Sequence, residues 1–332
     1  MYVLLQATLQ DEPMPIVKPI AIFLGWILDF IYNIIYGLNH QLAFGISIII
    51  FTMVVRALMI PLAIKQQKSM ASMQKLQPEM EKIKKKYSSS KDPEAKKKMQ
   101  IETQTLYSKA GVNPLGGCLP LIIQMPIFFA LFYIMQQSYL FISKMGEIYR
   151  QLAALAMQVS PDWVQPLYEI ASSKLRPGQE YDIGKFDNLQ KLFYSFTPDE
   201  WAKYLESIPA DIAGRMSEIV AQIEMNKSLT QFLSIDLLQQ PAINSIAILI
   251  PILCAVTTFL QSWFTNKMTV STDDNVRMQQ KIMLFMMPAM MGYFTFTFPA
   301  GVGLYWLSST VFHVFQQIVL NKKYLVKTEA RS

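Results

Sequence analysis

Hydrophobic and polar positions fall in long blocks along this chain. The first block, Leu42 to Ile64, reads LAFGISIIIFTMVVRALMIPLAI and carries one charge, Arg56. A run of this length crosses the hydrocarbon core of a bilayer, which takes about 20 residues. Four more blocks follow at 115–135, 242–265, 282–298 and 302–320. Together they predict five membrane-spanning helices. Pro120 and Pro126 lie within the second block and are expected to bend it. The third contains Pro251 and Gln261, and the short fourth is rich in Met. Pro299, Ala300 and Gly301 mark a tight turn between the fourth and the fifth.

The segments between the blocks have periods of their own. In the N-terminal segment 1–41, Ile20, Phe23, Leu24, Ile27, Ile31, Ile34, Ile35 and Leu38 recur at helical spacing, with Asp29 and Asn33 as interruptions. That pattern suits a helix lying in the membrane interface. Over 65–111, Met73, Leu76, Met80, Ile83 and Tyr87 step by three and four, a coiled-coil seam. Ser88–Ser90 interrupt it. Asp92 and Pro93 read as N-cap and first turn of a second helix with a weaker stripe, Met99, Thr103, Leu106 and Ala110, stopped by Gly111. The pair predicts an antiparallel helical hairpin projecting into water. The long polar region 138–240 predicts a compact helical insertion. Its clearest signal is a capping box, Thr197 with Glu200, ahead of Trp201, Tyr204 and Leu205.

Composition supports a membrane class. Of 332 residues, 52% are hydrophobic and 16% charged, against about 25% charged in soluble domains. Cys118 and Cys254 both fall in apolar segments, and there are two histidines, so neither a disulfide framework nor a His-based metal site is indicated. There is no phosphate-binding Gly loop and no nucleophile elbow, and no cofactor is expected. The start, MYVLLQATLQDEPMP, lacks a basic n-region and a clear cleavage site.

Charge sets the orientation. The hairpin 65–111, the loop 266–281 and the tail 321–332 are rich in Lys and Arg, whereas acids outnumber bases in 138–240. The positive-inside rule places the three basic elements in the cytoplasm, with the N-terminus and the insertion outside. Clustered lysines beside a membrane are expected to attract anionic lipids.

Arg56 is the most informative residue. A cation deep in a span costs about 2.5–3.5 kcal/mol even on insertion scales, and Arg does not escape by losing its proton. Its charge calls either for a structural partner, such as lipid phosphate or a buried acid, or for a hydrated cavity. The other spans hold no clear Asp or Glu, which favours the cavity. For Gln124, Gln261, Gln316 and Gln317, interhelical hydrogen bonding is the default. Trp306 suits an interfacial anchor, and His313 a packing role. The Met run suits sliding contact with varied apolar segments.

Several stretches carry a resemblance. FTMVVRALMIPLAIKQQKS, MQKLQPEMEKIKKKY, VNPLGGCLPLIIQMPIFFALF, LSIDLLQQP and FPAGVGLYWLSSTVFHVFQQ stand in the order found in the YidC/Oxa/Alb membrane protein insertases, which the chain resembles. The resemblance implies an all-α membrane protein: a bundle of five transmembrane helices with a cytoplasmic helical hairpin, here with an extracytoplasmic helical insertion. It implies a hydrophilic groove open to cytoplasm and lipid, with its Arg on Arg56, its third-helix polar residue on Gln261 and its fifth-helix Trp on Trp306. The implied clients are nascent membrane proteins, delivered with the ribosome at the plasma membrane. A Sec-type translocon as a further partner is left open, and no nucleic-acid sequence is read. The insertion between the second and third spans is longer than the family's usual connection. Two rival readings stand beside this one. A solute transporter predicts internal repeats, and none is visible. A membrane scaffold or ribosome receptor predicts indifference to Arg56.

Overall fold

The computed structural model describes residues 15, 17–87, 92–111, 119–158, 165–174, 182–225, 230–268, 278 and 280–324. They are helical apart from one small hairpin, and they form two compact units. The turn at Ser88–Lys91, Cys118, most of the loop 266–281 and the end of the tail lie outside the described residues.

The first unit draws on the chain through Ser47 and on Pro126–Leu238. Helix α1 (Val17–Leu38) buries Ala21, Leu24, Leu28 and Tyr32 and exposes Ile22, Phe23, Trp26 and Phe30. By length and composition α1 could cross a membrane. Its interrupting polar residues are both used. Asp29 Oδ1 accepts from the backbone N–H and the hydroxyl of Ser143 at 2.8 and 3.0 Å, and Asn33 Nδ2 donates to the same hydroxyl at 3.1 Å. These bonds dock the middle of α1 onto the start of α7 (Ser143–Ala156), just after the single turn α6 (Ser138–Phe141). Next come α8 (Gln165–Lys174), α9 (Phe186–Tyr194), α10 (Pro198–Glu206) and α11 (Ala210–Met225). Leu152, Leu192, Phe193, Tyr204 and Met216 form their common core. Phe193 stacks on Trp201 at 5.1 Å, and burial pushes the Tyr194 phenol up to about 12. Thr197 Oγ1 accepts from the Glu200 N–H, and Glu200 Oε2 accepts from the Thr197 N–H, which completes the capping box.

The region is not wholly helical. Strands β1 (Gln231–Phe232) and β2 (Ile235–Asp236) pair antiparallel around Leu233 and Ser234, both at positive φ. Such turns normally use Asn or Gly. Here Asp236 Oδ1 holds the turn by accepting from Thr230 Oγ1 and the Leu238 N–H, both at 3.0 Å. The Phe232 ring packs flat where a side chain on Gly45 would lie, so that position takes only Gly without rearrangement.

The second unit draws on Ile48–Met125 and Gln239–Ser332. The expected single run 42–64 is two helices, α2 (Ala43–Leu58) and α3 (Ile60–Tyr87), meeting at 54°. Pro61 has no N–H for the Ala57 carbonyl, so the ladder breaks and Met59 N–H bonds back to both Val55 and Arg56 carbonyls. α3 then continues unbroken through residues 65–87. It packs along α4 (Pro93–Lys109), which Asp92 caps by accepting from the Glu94 N–H, and Gly111 follows at φ 63°. Met80 is buried between them, with the Tyr107 hydroxyl donating to its sulfur at 3.0 Å.

Helix α5 (Leu119–Gln136) carries Pro126 inside it, while Pro120 falls in its first turn. The third block starts later than 242. A 3-10 turn, Ile246–Ile248, leads into α12 (Leu249–Met268), so Pro251 lies in the first turn, where no N–H is needed. A π turn, Ile282–Met286, leads into α13 (Met287–Thr297), and α14 (Ala300–Tyr324) completes the unit. α12, α13 and α14 pack on one another, while Ile252, Val256, Phe285, Met286 and Phe315 remain exposed on their outer faces. The Cys254 thiol is buried and donates to the Gly303 carbonyl at 3.3 Å.

Candidate functional site

Arg56 lies in the last turn of α2, where its neighbours are Val54, Val55, Ala57 and Leu58. A helix this apolar offers it nothing, so its partner comes from α14. Arg56 Nε donates to Ser309 Oγ at 2.8 Å, and Nη2 contacts the same oxygen. Among the described residues Arg56 has no carboxylate partner and no second hydrogen-bond acceptor. Three of its five donors therefore stay available.

Around this contact α14 presents polar groups one turn apart. Tyr305 is buried; its hydroxyl accepts from Gln124 Nε2 of α5 at 2.8 Å, and its ring lies 6.5 Å from Phe51. Trp306 Nε1 donates to Thr258 Oγ1 of α12 at 3.1 Å. Three turns beyond Trp306, Gln317 Nε2 donates to Thr265 Oγ1 at 3.2 Å. Thr258 and Ser262 are buried beside them. The result is a polar seam between apolar helices, with one guanidinium in it. Each bond in such a place is worth about 0.6 kcal/mol, rising to about 2, so the seam helps to specify helix register.

A model of the 60Kd inner membrane protein family matches residues 34–328. The chain belongs to that family. It is similar to the membrane protein insertase YidC of Oceanobacillus iheyensis, 29% identical over 286 residues that cover 86% of this chain and 77% of that one. Membrane protein insertase YidC 1 of Bacillus cereus is 30% identical over 305 residues, 90% of this chain and 82% of the relative. The YidC of Pelodictyon phaeoclathratiforme is 30% identical over 310 residues, and there the chain spans only 37% of a longer protein.

Of the three residues singled out from the sequence, the structure gives each a different setting. Arg56 is the centre of the seam. Trp306 belongs to it, but bonds to Thr258 and not to the guanidinium. Gln261 is half-buried on α12, and its side-chain amide makes no hydrogen bond among the described residues; its backbone carbonyl accepts from Thr265. Ser309, Tyr305 and Thr258 were not singled out, although they carry the contacts. A signal for two of them was present: Tyr305 and Ser309 are four residues apart on one helix face, flanking Trp306.

Proposed function

We propose that this protein is a membrane protein insertase and chaperone that passes the hydrophilic tail of a nascent chain along a hydrated, positively charged groove centred on Arg56. The single observation that carries this is an Arg inside an apolar helix that is held, among the described residues, by one hydroxyl and by no carboxylate. An uncompensated cation in hydrocarbon is too costly to keep, so water or an acidic client must reach it. Gln261 and Trp306 belong to the groove in this reading, with Gln261 free to meet the client.

Five spans carry the groove: α2 with the start of α3, then α5, α12, α13 with its π turn, and α14. The helix α1 lies in the outer interface. Its centre, Asp29 and Asn33, docks α7 of the insertion, a contact suited to the surface and not to mid-bilayer. The N-terminus and insertion face outward, and α3 with α4 forms the cytoplasmic hairpin that receives clients from the ribosome. Anionic lipids gather at its lysines, and a Sec-type translocon is a further candidate partner. Apolar client segments leave over the exposed residues of α12, α13 and α14, where Met283, Met286 and Met290 adapt to varied shapes. Hydrophobic transfer drives completion and no covalent step occurs.

The test is reconstitution of the purified protein into liposomes with a single-span substrate, scored by protease protection of its tail. Protection that requires the protein and falls sharply in Arg56→Ala supports the insertase. Equal protection without the protein, or full activity in Arg56→Ala, supports a scaffold instead.

A further inference from the structure

One cleft in the first unit is not used by the groove. It has a volume of about 300 Å³, and α1, α6, α7 and α9 line it with Asp29, Leu140, Phe141, Ser143, Arg150 and Gln190. That volume is at the small end of ligand sites. Three of its polar groups are incompletely satisfied. Gln190 is only 7% exposed, faces the cleft, and makes no hydrogen bond among the described residues. Its amide therefore reaches only the cleft, where a ligand or water can pair with it. Asp29 spends Oδ1 on the two Ser143 bonds, while Oδ2 receives none among the described residues. Among the described residues Arg150 is tied only to Glu147, at 3.0 Å, in a pair exposed on both sides. Such a surface pair is weak, so the guanidinium is readily redirected.

The cleft thus offers a carboxylate oxygen, a guanidinium and an amide over a short distance. Leu140 in its lining is 51% exposed, and on α1 the neighbouring Phe30 and Trp26, next to Asp29 and one turn before it in the sequence, are 60% and 68% exposed.

We propose that this cleft binds the headgroup of a primary-amine phospholipid, phosphatidylethanolamine in chemical class. The ammonium donates to Asp29 Oδ2, the phosphate takes the Arg150 fork, and the Gln190 amide bridges between them. The acyl chains lie against Leu140, Phe30 and Trp26. Selectivity follows from the donors. A choline headgroup has no N–H for Asp29. A glycerol headgroup brings no cation and sets its phosphate against the Asp29 carboxylate.

The experiment uses the full chain in phosphatidylcholine nanodiscs. Each sample contains a trace of phosphatidylethanolamine, phosphatidylcholine or phosphatidylglycerol bearing a photoreactive acyl chain, and labelled peptides are mapped. The ethanolamine probe is expected to label peptides around 26–34 and 138–150 about tenfold more than the other two, the effect of one charged hydrogen bond. Asp29→Asn keeps an acceptor for the Ser143 N–H while removing the charge, and Arg150→Gln alters an exposed side chain. Each is expected to cut that labelling about tenfold with an unchanged melting temperature. Free phosphoethanolamine is expected not to compete, because it lacks the chains. Equal labelling by all three probes, preference for the glycerol probe, or a preference that survives both substitutions overturns the proposal. Competition by the free headgroup overturns the lipid as its source.

Discussion

Arg56 gives two of its donors to one hydroxyl, so Ser309 fixes where the guanidinium points without neutralising it. Removing that hydroxyl is expected to leave the charge in place but unaimed. Ser309→Ala should lower stability by about 0.5–2 kcal/mol, the range for interhelical bonds in membranes, and Ser309→Thr should retain most of it. Thermal unfolding in detergent measures this, and a Thr variant as unstable as the Ala variant counts against the bond. The Arg itself was legible in the sequence because a charge within an apolar run must be either paired or hydrated. Ser309 was not, because a serine in a helix commonly bonds its own backbone and only a distance reveals the exception. Trp306 was singled out through the family resemblance, and its indole N–H donates to Thr258.

At the scale of elements, the pair α3 and α4 is joined by little more than a narrow stripe. Lys86 Nζ bonds both carboxylate oxygens of Glu102 at 3.1 Å, which holds the Glu102 carboxyl below and the Lys86 ammonium above their ordinary ranges. The depressed Glu102 contributes stability above its unfolded value of about 4.3, lost as pH falls through the lower folded value. The raised Lys86 contributes below about 10.4, lost as pH rises through its higher folded value. Both groups are exposed, so the effect is small. Amide exchange in α4, corrected for intrinsic rates, is expected to be slowest relative to α9 and α10 near neutral pH and to speed up in acid. Lys86→Gln should remove that dependence, and an unchanged acid response in this variant excludes the pair as its cause. The seam over Leu76, Met80 and Ile83 and the caps at Asp92 and Thr197 were readable because spacing alone encodes them. The β1–β2 turn was not, because Leu233 and Ser234 adopt positive φ against their own preference. Asp236 holds them there from outside the turn.

For the whole molecule, the aromatic core around Phe193, Trp201 and Tyr204 gives the insertion packing of its own. Deleting about 145–230 with the flanks joined is therefore expected to leave insertion activity largely intact. Loss of activity in a stably folded deletion assigns the region a direct role. The blocks that build the helices were legible as runs of apolar residues. Their exact starts were not, since Pro61 and Pro251 act through backbone bonds that hydropathy does not report. If the charge of Arg56 meets the client, reversing that charge reverses which tails are passed. Proteoliposomes carrying wild-type protein or Arg56→Glu are given substrates with acidic or basic tails, and protease-protected tails are counted. Arg56→Glu is expected to fail on acidic tails and to recover in part on basic ones, with Arg56→Lys close to wild type on both. If Arg56→Glu protects acidic tails as well as wild type does, the groove-charge mechanism is wrong and Arg56 is structural.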